Sequence, residues 1–145
     1  MKDMVIKARE YAVVKHSGQK YGDNDYVYHL DCVHDLVIEM YSDDPLLSTL
    51  ETIAYLHDVA EDCDVKYEEI VKEFNVCVAV AVMAISKVEG ENKQEYLNKV
   101  LGVELARKVK IADTLTNLMH SFVYRRAKGM NKYPEQLMIL QRGKV

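Results

Sequence analysis

Residues 52–62 read Thr-Ile-Ala-Tyr-Leu-His-Asp-Val-Ala-Glu-Asp, and this stretch decides the fold class. Counting from Leu50, apolar residues follow at offsets 3 and 4 and His57 at offset 7, so the imidazole lies on the helix face that turns toward the core. Asp58 follows directly, and burying an unpaired carboxylate is costly. A cation bound by His57 and Asp58 relieves that cost, although such a pair is also typical of a helix-end cap or an ion pair.

Helical spacing of apolar residues continues along almost the whole chain, and Gly, Pro, Asn and Asp are confined to short interruptions. We therefore predict an all-α fold. The predicted helices lie near residues 3–16, 28–41, 46–58, 66–74, 76–88, 92–101, 103–127 and 132–141. The irregular segment 17–27 lacks the later Gly and the bidentate Glu of a calcium loop, which argues against a calcium site there.

Length and composition limit the classes of protein. The 145 residues fit one ordinary domain, predicted over residues 1–145, and 49% of them are apolar, which is enough to bury a core. The formal charge of -4 argues against binding to DNA or RNA, because sequence-independent affinity for nucleic acids depends on Lys and Arg. The sequence contains no apolar run of signal-peptide or membrane-span length, so we expect a cytoplasmic location and no membrane partner.

The three cysteines, Cys32, Cys63 and Cys77, are odd in number and form no C-x-x-C pair. We therefore expect reduced thiols and neither a disulfide framework nor a structural zinc site. The apolar neighbours of Cys32 and Cys77 indicate core positions for both thiols.

Two further helices supply polar residues at helical spacing. His29 begins a stripe in the helix predicted at 28–41, which places a second imidazole on a buried face. That stripe continues at Cys32, Val33, Leu36, Val37 and Met40.

In the helix predicted at 103–127, the apolar stripe expected to face the core is Ile111, Leu115, Leu118 and Phe122. A second row on another side of this helix consists of Lys110, Asp113, Asn117, His120 and Tyr124. Taken alone, this polar row favours a solvated face, but its carboxylate, amide and imidazole also suit a metal site.

Three separated motifs together resemble the HD-domain phosphohydrolases, most closely the hydrolase domain of the RelA/SpoT type and its small stand-alone relatives. The motifs are His16-Ser17-Gly18-Gln19 with Tyr26-Val27-Tyr28-His29, the stretch 52–62, and Lys110-Ile111-Ala112-Asp113-Thr114-Leu115-Thr116-Asn117-Leu118. They occur in the family's order. The resemblance implies a helical HD-domain bundle that holds one divalent metal ion, commonly manganese. The implied ligands are His29, His57, Asp58 and Asp113, a mixture of imidazoles and carboxylates that suits an octahedral first-row ion.

The resemblance also implies a reaction. RelA/SpoT-type hydrolases remove pyrophosphate from the 3′ position of guanosine tetraphosphate (ppGpp) or pentaphosphate. Glu61 and Asp62 match the acidic pair that handles the attacking water, and Asn117 matches an asparagine that contacts the nucleotide. Several phosphates require cations, and Arg binds phosphate in a bidentate manner. The candidates for substrate binding are Lys20, Arg125 and Arg126, with Lys87, Lys110 and Lys128 as further ones.

The chain departs from the RelA/SpoT pattern before His29. That type has an Arg-Lys-Ser/Thr-Gly run that helps to hold the base and then His-Pro, whereas residues 20–25 here read Lys-Tyr-Gly-Asp-Asn-Asp and Leu30 follows His29. This change leaves the implied ligands intact and alters the segment that recognises guanine. The aromatic candidates to stack on a base, or to serve as ordinary packing, are Tyr21, Tyr26 and Tyr28.

Three functional hypotheses remain open. The first is an alarmone 3′-pyrophosphohydrolase, the second is hydrolysis of ordinary nucleotides or deoxynucleotides, and the third is a non-catalytic HD protein that binds a nucleotide. The third is disfavoured because the four implied ligands and the Glu61–Asp62 pair are all present. A protein without catalytic activity has no chemical reason to keep buried acids that serve no function. The expected partner is a small-molecule nucleotide. Self-association into a homo-oligomer is compatible with the sequence, but no apolar stripe identifies an interface.

Overall fold

The helices of the computed structural model, which describes residues 2–143, confirm the all-α prediction. The helices are α1 (Lys2–Lys15), α2 (Tyr26–Met40), α3 (Leu47–Leu56), α4 (Val59–Cys63), α5 (Tyr67–Glu73), α6 (Val76–Ile85), α7 (Lys93–Leu101), α8 (Glu104–Val123) and α9 (Ala127–Arg142). The segment 17–27 is not wholly irregular, because β1 (Lys20–Tyr21) and β2 (Asn24–Asp25) form a small antiparallel hairpin between α1 and α2. Among residues 2–143, no helix combines the length and the apolar character that crossing a membrane requires.

Helix α3 is the central element of the fold. Its residues from Thr52 to Leu56 are all buried, and it contacts α1, α2, α6 and α8. Five consecutive buried residues cover every side of a helix, so this end of α3 lies inside the protein and not on its surface. The helix predicted at 46–58 is shorter in the structure, since α3 ends at Leu56 and α4 begins at Val59. His57 and Asp58 therefore lie in a break between two helices, at the end of a buried one.

Helix α8 turns part of its polar row inward, which corrects the prediction for this helix. Asp113 is 3% exposed, whereas Phe122, expected in the core, is 72% exposed. Ile111 is buried as expected. Ala112 and Thr116 are also buried, and these small side chains permit the close contacts of α8 with α2 and α3. Those contacts, and not the larger apolar stripe, decide which face of α8 is buried.

The chain between α8 and α9 also differs from the prediction. The helix predicted at 103–127 ends at Val123, because Arg125 takes a left-handed conformation with φ 55°. The helix predicted at 132–141 begins earlier, at Ala127. A Cβ at Gly129 would lie 2.0 Å from Ser121 Oγ, so the first turns of α9 pack directly on α8. This close packing extends α9 toward its amino end.

The expectation of a core position is wrong for Cys77. Its thiol is exposed, and Cys32 is half-buried. Helix α6 is apolar on all sides, with Val76 and Val80 also exposed, so apolar neighbours in the sequence do not identify its inner face.

Candidate metal centre

Four side chains from three parts of the fold converge in the interior. His29 lies in the first turn of α2, His57 and Asp58 lie in the break after α3, and Asp113 lies in α8. One ligand atom from each lies within 4.8 Å of the others. His29, His57 and Asp113 are buried, and the Asp58 side chain is 17% exposed. The structure brings together the four residues that the sequence resemblance implied as metal ligands.

The His57 ring shows why this cluster favours a cation. Its Nδ1–H donates to the Ala54 carbonyl at 2.7 Å, so a neutral His57 presents the lone pair of Nε2 to the cluster. That nitrogen lies 3.0 Å from Asp58 Oδ2 and 3.3 Å from Asp113 Oδ1. It is buried and has no hydrogen-bond partner among the described residues. Electron-rich atoms this close repel one another unless a proton or a metal ion lies between them.

His29 approaches the same centre from α2. Its Nε2 lies 2.9 Å from Asp113 Oδ1 and 3.9 Å from Asp58 Oδ2. Both imidazoles therefore face the same pair of carboxylates. Two imidazole nitrogens and two carboxylate oxygens are a suitable donor set for a divalent first-row ion and leave positions for substrate oxygens.

The charges of the cluster favour ionised carboxylates. Burial acts to raise the pKa of Asp113, but Lys110 and His57 hold that pKa well below its usual range. Burial also opposes ionisation of Asp58, yet His57 lowers the pKa of Asp58 to about 2. Desolvation lowers the pKa of His57, and the charges of Asp58 and Asp113 outweigh this effect and raise it well above the ordinary value. The cluster therefore attracts positive charge.

Neighbouring hydrogen bonds orient both carboxylates. The Tyr26 hydroxyl donates to Asp58 Oδ2 at 2.5 Å. Lys110 Nζ donates to Asp113 Oδ2 at 2.8 Å, and Asn117 Nδ2 donates to Asp113 Oδ1 at 3.2 Å. Partners of this kind fix the geometry of metal-binding carboxylates. The sequence contained no signal for the contact of Tyr26, since a tyrosine near a histidine is most often ordinary packing.

The two acids of the Glu61–Asp62 pair point to different neighbours. Glu61 lines a cavity beside Asp58 and accepts the Lys87 backbone N–H at 2.6 Å. Partial desolvation raises the pKa of Glu61, and the charges of Asp58 and Asp62 reinforce this effect against the hydrogen bond from Lys87. Asp62 instead accepts the Gln19 side-chain amide at 3.0 Å. The cavity beside the cluster therefore receives Glu61 and not Asp62.

That cavity, of about 160 Å³, is lined by lysines from several elements. Its cationic residues are Lys87, Lys93, Lys110 and Lys132. Burial lowers the pKa of Lys132, and the charges of the other three lysines lower it further, which shows their mutual repulsion. Such a cluster is suited to an anion. Lys93 and Lys132 were not predicted from the sequence, because nothing in their local pattern distinguishes them from solvated lysines on a helix.

The predicted substrate-binding residues are distributed unevenly. Asn117 lines the lysine cavity and also a second cavity, which it shares with Arg126, Tyr21 and His120. Lys20 pairs with Asp25 at 2.5 Å on the exposed hairpin. Within residues 2–143, neither of these two cavities is lined by Lys20 or Arg125. Asn117 thus contacts Asp113 of the cluster and Arg126 lines the second cavity, whereas Lys20 and Arg125 line neither cavity.

Tyr21, the second residue of β1, brings the hairpin into contact with the cluster. Its ring centroid lies 4.4 Å from that of His29 and 4.4 Å from that of His120. Its hydroxyl donates to Asn117 Oδ1 at 2.8 Å. Of the three tyrosines considered from the sequence, Tyr26 contacts Asp58 and Tyr28 is 49% exposed, so Tyr21 is the one whose ring faces the second cavity.

No profile of a known protein family matches the chain. Individual relatives do match. Over 135 residues the chain is 32% identical to the guanosine-3′,5′-bis(diphosphate) 3′-pyrophosphohydrolase of Aquifex aeolicus (strain VF5), a match that covers 86% of this chain and 18% of that protein. Over 125 residues it is 33% identical to the guanosine-3′,5′-bis(diphosphate) 3′-pyrophosphohydrolase MESH1 of Drosophila melanogaster, which covers 78% of this chain and 66% of that protein.

A solved structure shares the fold. It is described as a metazoan orthologue of SpoT that hydrolyses ppGpp, and it superposes with a TM-score of 0.79 at 23% identity, covering 97% of this chain and 86% of that one. This likeness confirms the predicted HD-domain bundle. Together with the two sequence relatives, it shows that the chain belongs to the HD-domain family of the RelA/SpoT type.

Proposed function

We propose that this chain is a metal-dependent phosphohydrolase that removes the 3′-pyrophosphate of guanosine tetra- or pentaphosphate, with Mn2+ or another divalent first-row metal as its cofactor. The observation that carries the proposal is the buried Nε2 of His57, which faces two carboxylates without a hydrogen-bond partner in the described chain. A lysine-lined cavity adjoins it. A cation centre beside several ammonium groups suits a substrate with several phosphates.

The four clustered side chains would hold the metal ion; these are His29, His57, Asp58 and Asp113. A bound divalent ion supplies Lewis-acid polarisation of the phosphoryl oxygens and of the attacking water. Tyr26, Lys110 and Asn117 keep the carboxylates oriented, so the ligands need little rearrangement during the reaction.

Glu61 is the better placed of the two acids to accept the proton of the attacking water. It lines the same cavity as Asp58, and its raised pKa brings it closer to the neutral range in which a general base works well. The water oxygen bonds to the 3′ phosphorus, and the bond from that phosphorus to the ribose 3′ oxygen breaks. The 3′ oxygen leaves with the bonding electrons and becomes a hydroxyl when the proton taken up by Glu61 is returned to it, directly or through solvent. From the tetraphosphate the products are GDP and pyrophosphate. Asp62, the other predicted catalytic acid, accepts the Gln19 amide outside this cavity and would contribute through its charge, which raises the pKa of Glu61.

The lysine cavity would bind the pyrophosphate. Lys87, Lys93 and Lys132 add their charges to that of Lys110, which is already paired with Asp113. Charge-assisted hydrogen bonds to phosphate are roughly twice as strong as neutral ones. Asn117 and Arg126 would contact the nucleoside side of the substrate, since both line the second cavity.

The hairpin favours a second candidate substrate class. RelA/SpoT-type hydrolases carry cations there, but Lys20 is paired with Asp25, and the Tyr21 ring lies between those of His29 and His120, tilted against both. A tyrosine ring stacks on any base and does not by itself select guanine. This observation favours hydrolysis of ordinary nucleotides or deoxynucleotides as the alternative. Recognition of guanine by Lys20 would require its ion pair with Asp25 to break.

The proposal extends to the setting of the reaction. We propose that the protein acts in the cytoplasm and forms one HD domain over residues 1–145. Its partner would be a small-molecule nucleotide, and it would bind neither nucleic acid nor a membrane. The formal charge of -4 disfavours nucleic acid, and three free thiols suit a reducing compartment.

The experiment is manganese-dependent cleavage of ppGpp beside a panel of NTPs and dNTPs, with wild type and Asp58→Ala. We expect equal amounts of GDP and pyrophosphate from ppGpp and no product from the variant. If only ordinary nucleotides were cleaved, the assignment of the metal site would stand, and the second candidate substrate class would replace ppGpp. Absence of any product from the metal-loaded protein would overturn the hydrolase and favour non-catalytic nucleotide binding.

Asp31→Ala is the matched control for Asp58→Ala. Asp31 also accepts a tyrosine hydroxyl, from Tyr55 at 2.9 Å, but it lies outside the metal cluster. The control variant should retain manganese and form product at the wild-type rate when assayed below its unfolding temperature.

A further inference from the structure

Two copies of the same arrangement occur in this fold: a histidine ring stacks on a tyrosine whose hydroxyl donates to an aspartate. In the first, the rings of His16 and Tyr26 lie 4.6 Å apart at 29°, and Tyr26 donates to Asp58 at 2.5 Å. In the second, the rings of His34 and Tyr55 lie 4.7 Å apart at 28°, and Tyr55 donates to Asp31 at 2.9 Å. The two units are alike in geometry and differ in what the aspartate does.

The second unit ends in a structural ion pair. Asp31 accepts both Nε and Nη2 of Arg9 at 2.9 Å each, which joins α1 to α2. His34 Nε2 is itself paired with Glu51 Oε1 at 2.9 Å. Every polar group of this unit thus has a partner that explains its position.

The first unit ends on a metal ligand. The oxygen of Asp58 that receives the Tyr26 hydroxyl is the one that lies 3.0 Å from His57 Nε2. A hydrogen bond to this oxygen restricts rotation of the carboxylate and keeps it directed at the centre. The position of the tyrosine hydroxyl therefore affects the geometry of the cluster.

His16 fixes the Tyr26 ring from behind. It is 4% exposed, and its Nδ1 lies 2.7 Å from Gln19 Oε1. Gln19 must present its amide nitrogen to Asp62, because a carboxylate only accepts, so its oxygen is left for His16 and His16 donates from Nδ1. A backbone hydrogen bond also joins Gln19 to Tyr26, since the Tyr26 N–H donates to the Gln19 carbonyl at 3.1 Å.

Burial of the His16 ring is not explained by hydrogen bonding alone. Its Nε2 is buried without a partner in the described part of the chain, and such a nitrogen is costly. His16 Nδ1 also lies 3.3 Å from Cys63 Sγ, which is a weak hydrogen-bond partner. The face of the ring stacks on Tyr26, and this aromatic contact is the one that reaches the metal centre through the Tyr26 hydroxyl.

We propose that Tyr26 and His16 are positioning residues for the metal centre: Tyr26 orients Asp58 through its hydroxyl, and His16 holds Tyr26 through its ring. The inference rests on the metal site of the proposed function. It concerns metal affinity and not substrate, so it can be judged without any nucleotide.

The first test is the affinity of the purified protein for Mn2+, measured by titration calorimetry on Tyr26→Phe and Tyr55→Phe. The Phe ring retains the stacking and removes only the hydroxyl. We expect Tyr26→Phe to bind manganese about 10–100-fold more weakly and Tyr55→Phe to bind as wild type does. Equal affinity of a folded Tyr26→Phe and wild type would overturn the role of Tyr26, as would an equal loss in both variants.

The second test separates the ring of His16 from its hydrogen bond. His16→Phe keeps a flat ring against Tyr26, and His16→Ala removes it; His34→Ala is the matched control. We expect His16→Ala to weaken manganese binding about tenfold, and His16→Phe to restore most of that loss. Equal losses in the two His16 variants, or an equal loss in His34→Ala, would overturn the stacking role.

Circular dichroism checks that each variant is folded, and Tyr55→Phe and His34→Ala show what loss of the same contact does away from the metal centre. Wild type that binds no manganese would overturn both this inference and the proposed function. Wild type that binds manganese and cleaves ppGpp, beside a Tyr26→Phe that binds equally well, would overturn the inference alone.

Discussion

The metal cluster and the lysine cavity adjoin each other and are built in opposite ways. In the cluster, His57 and Asp113 are almost fully buried and lie within 3.3 Å of each other. In the cavity, Lys93 is 52% exposed and shares its charge with Glu135 at 3.4 Å. If the proposed function is right, buried contacts set the affinity for the metal ion, whereas several partly exposed cations set the affinity for phosphate. Changes in the cluster should therefore abolish function, and changes in the cavity should reduce it by degrees.

Asp113→Ala should produce the largest effect. It removes a ligand and leaves Lys110 Nζ buried without its partner at 2.8 Å. Breaking a buried ion pair costs about 3–5 kcal/mol, so we expect a similar loss in the free energy of unfolding, together with complete loss of bound manganese. Urea denaturation and metal analysis measure the two effects.

A second change separates stability from metal binding at this position. Lys110→Met in the Asp113→Ala background removes the stranded ammonium group, so it should restore stability and not manganese. Stoichiometric manganese in either variant would contradict the assignment of Asp113 as a ligand.

Glu61→Gln should abolish proton acceptance without affecting the metal. The Gln side chain can still accept the Lys87 N–H, so the local structure should be retained. We expect kcat to fall about 100-fold while the affinity for manganese stays at the wild-type value. Steady-state kinetics and calorimetry measure both.

Glu91→Gln is the control, because Glu91 also accepts a backbone N–H, from Val88 at 3.0 Å, outside the lysine cavity. A wild-type kcat in Glu61→Gln would show that another group accepts the proton, and Asp62→Asn would then be examined in the same assay.

Lys132→Ala should act mainly on substrate binding. If the lysine cavity binds the pyrophosphate as proposed, loss of one of its ammonium groups should raise KM about tenfold and leave kcat nearly unchanged. Lys93→Ala should have a smaller effect, since Glu135 already neutralises part of its charge. Lys66→Ala, in which an exposed lysine paired with Asp64 is removed, should match wild type. A fall in kcat larger than the rise in KM would contradict the view that Lys132 acts mainly on substrate binding.

Gly129→Ala tests the connection between α9 and the cavity. The added Cβ would lie 2.0 Å from Ser121 Oγ and 2.7 Å from Ser121 Cβ, so rotation of the serine cannot relieve the clash. We expect a loss of about 1–3 kcal/mol in stability and a raised KM, because α9 carries Lys132, with manganese affinity unchanged. Gly102→Ala, whose Cβ meets nothing closer than 3.5 Å, should be nearly neutral. Thermal unfolding and kinetics together decide the outcome.

The same contrast explains which parts of the fold could be predicted. Helical spacing around Leu50 and Ile53 predicted the buried face of α3, because that face is apolar over its whole length. The inner face of α8 was predicted only in part. Phe122 is large and apolar but lies past the end of the core, and contacts with α2 and α3 select Ala112 and Asp113 instead. Spacing identifies faces, and tertiary contacts decide which of two faces is buried.

The candidate site divides in the same way. The four residues that converge in the cluster could be named from the sequence because three short motifs carry them in order. Lys93 and Lys132 could not, because they lie on different helices and approach each other only in the folded chain. From the sequence, Tyr26 is a candidate to stack on a base or to serve as ordinary packing, whereas in the structure its hydroxyl contacts Asp58.

The most direct test of the central claim is to titrate metal-free protein with Mn2+ and to measure bound metal and the products of ppGpp in the same samples. We expect product formation to rise in proportion to bound metal and to reach a plateau at about one ion per chain, with GDP and pyrophosphate in equal amounts. Product formation by the metal-free protein at the same rate, or none by the fully loaded protein, would contradict the account.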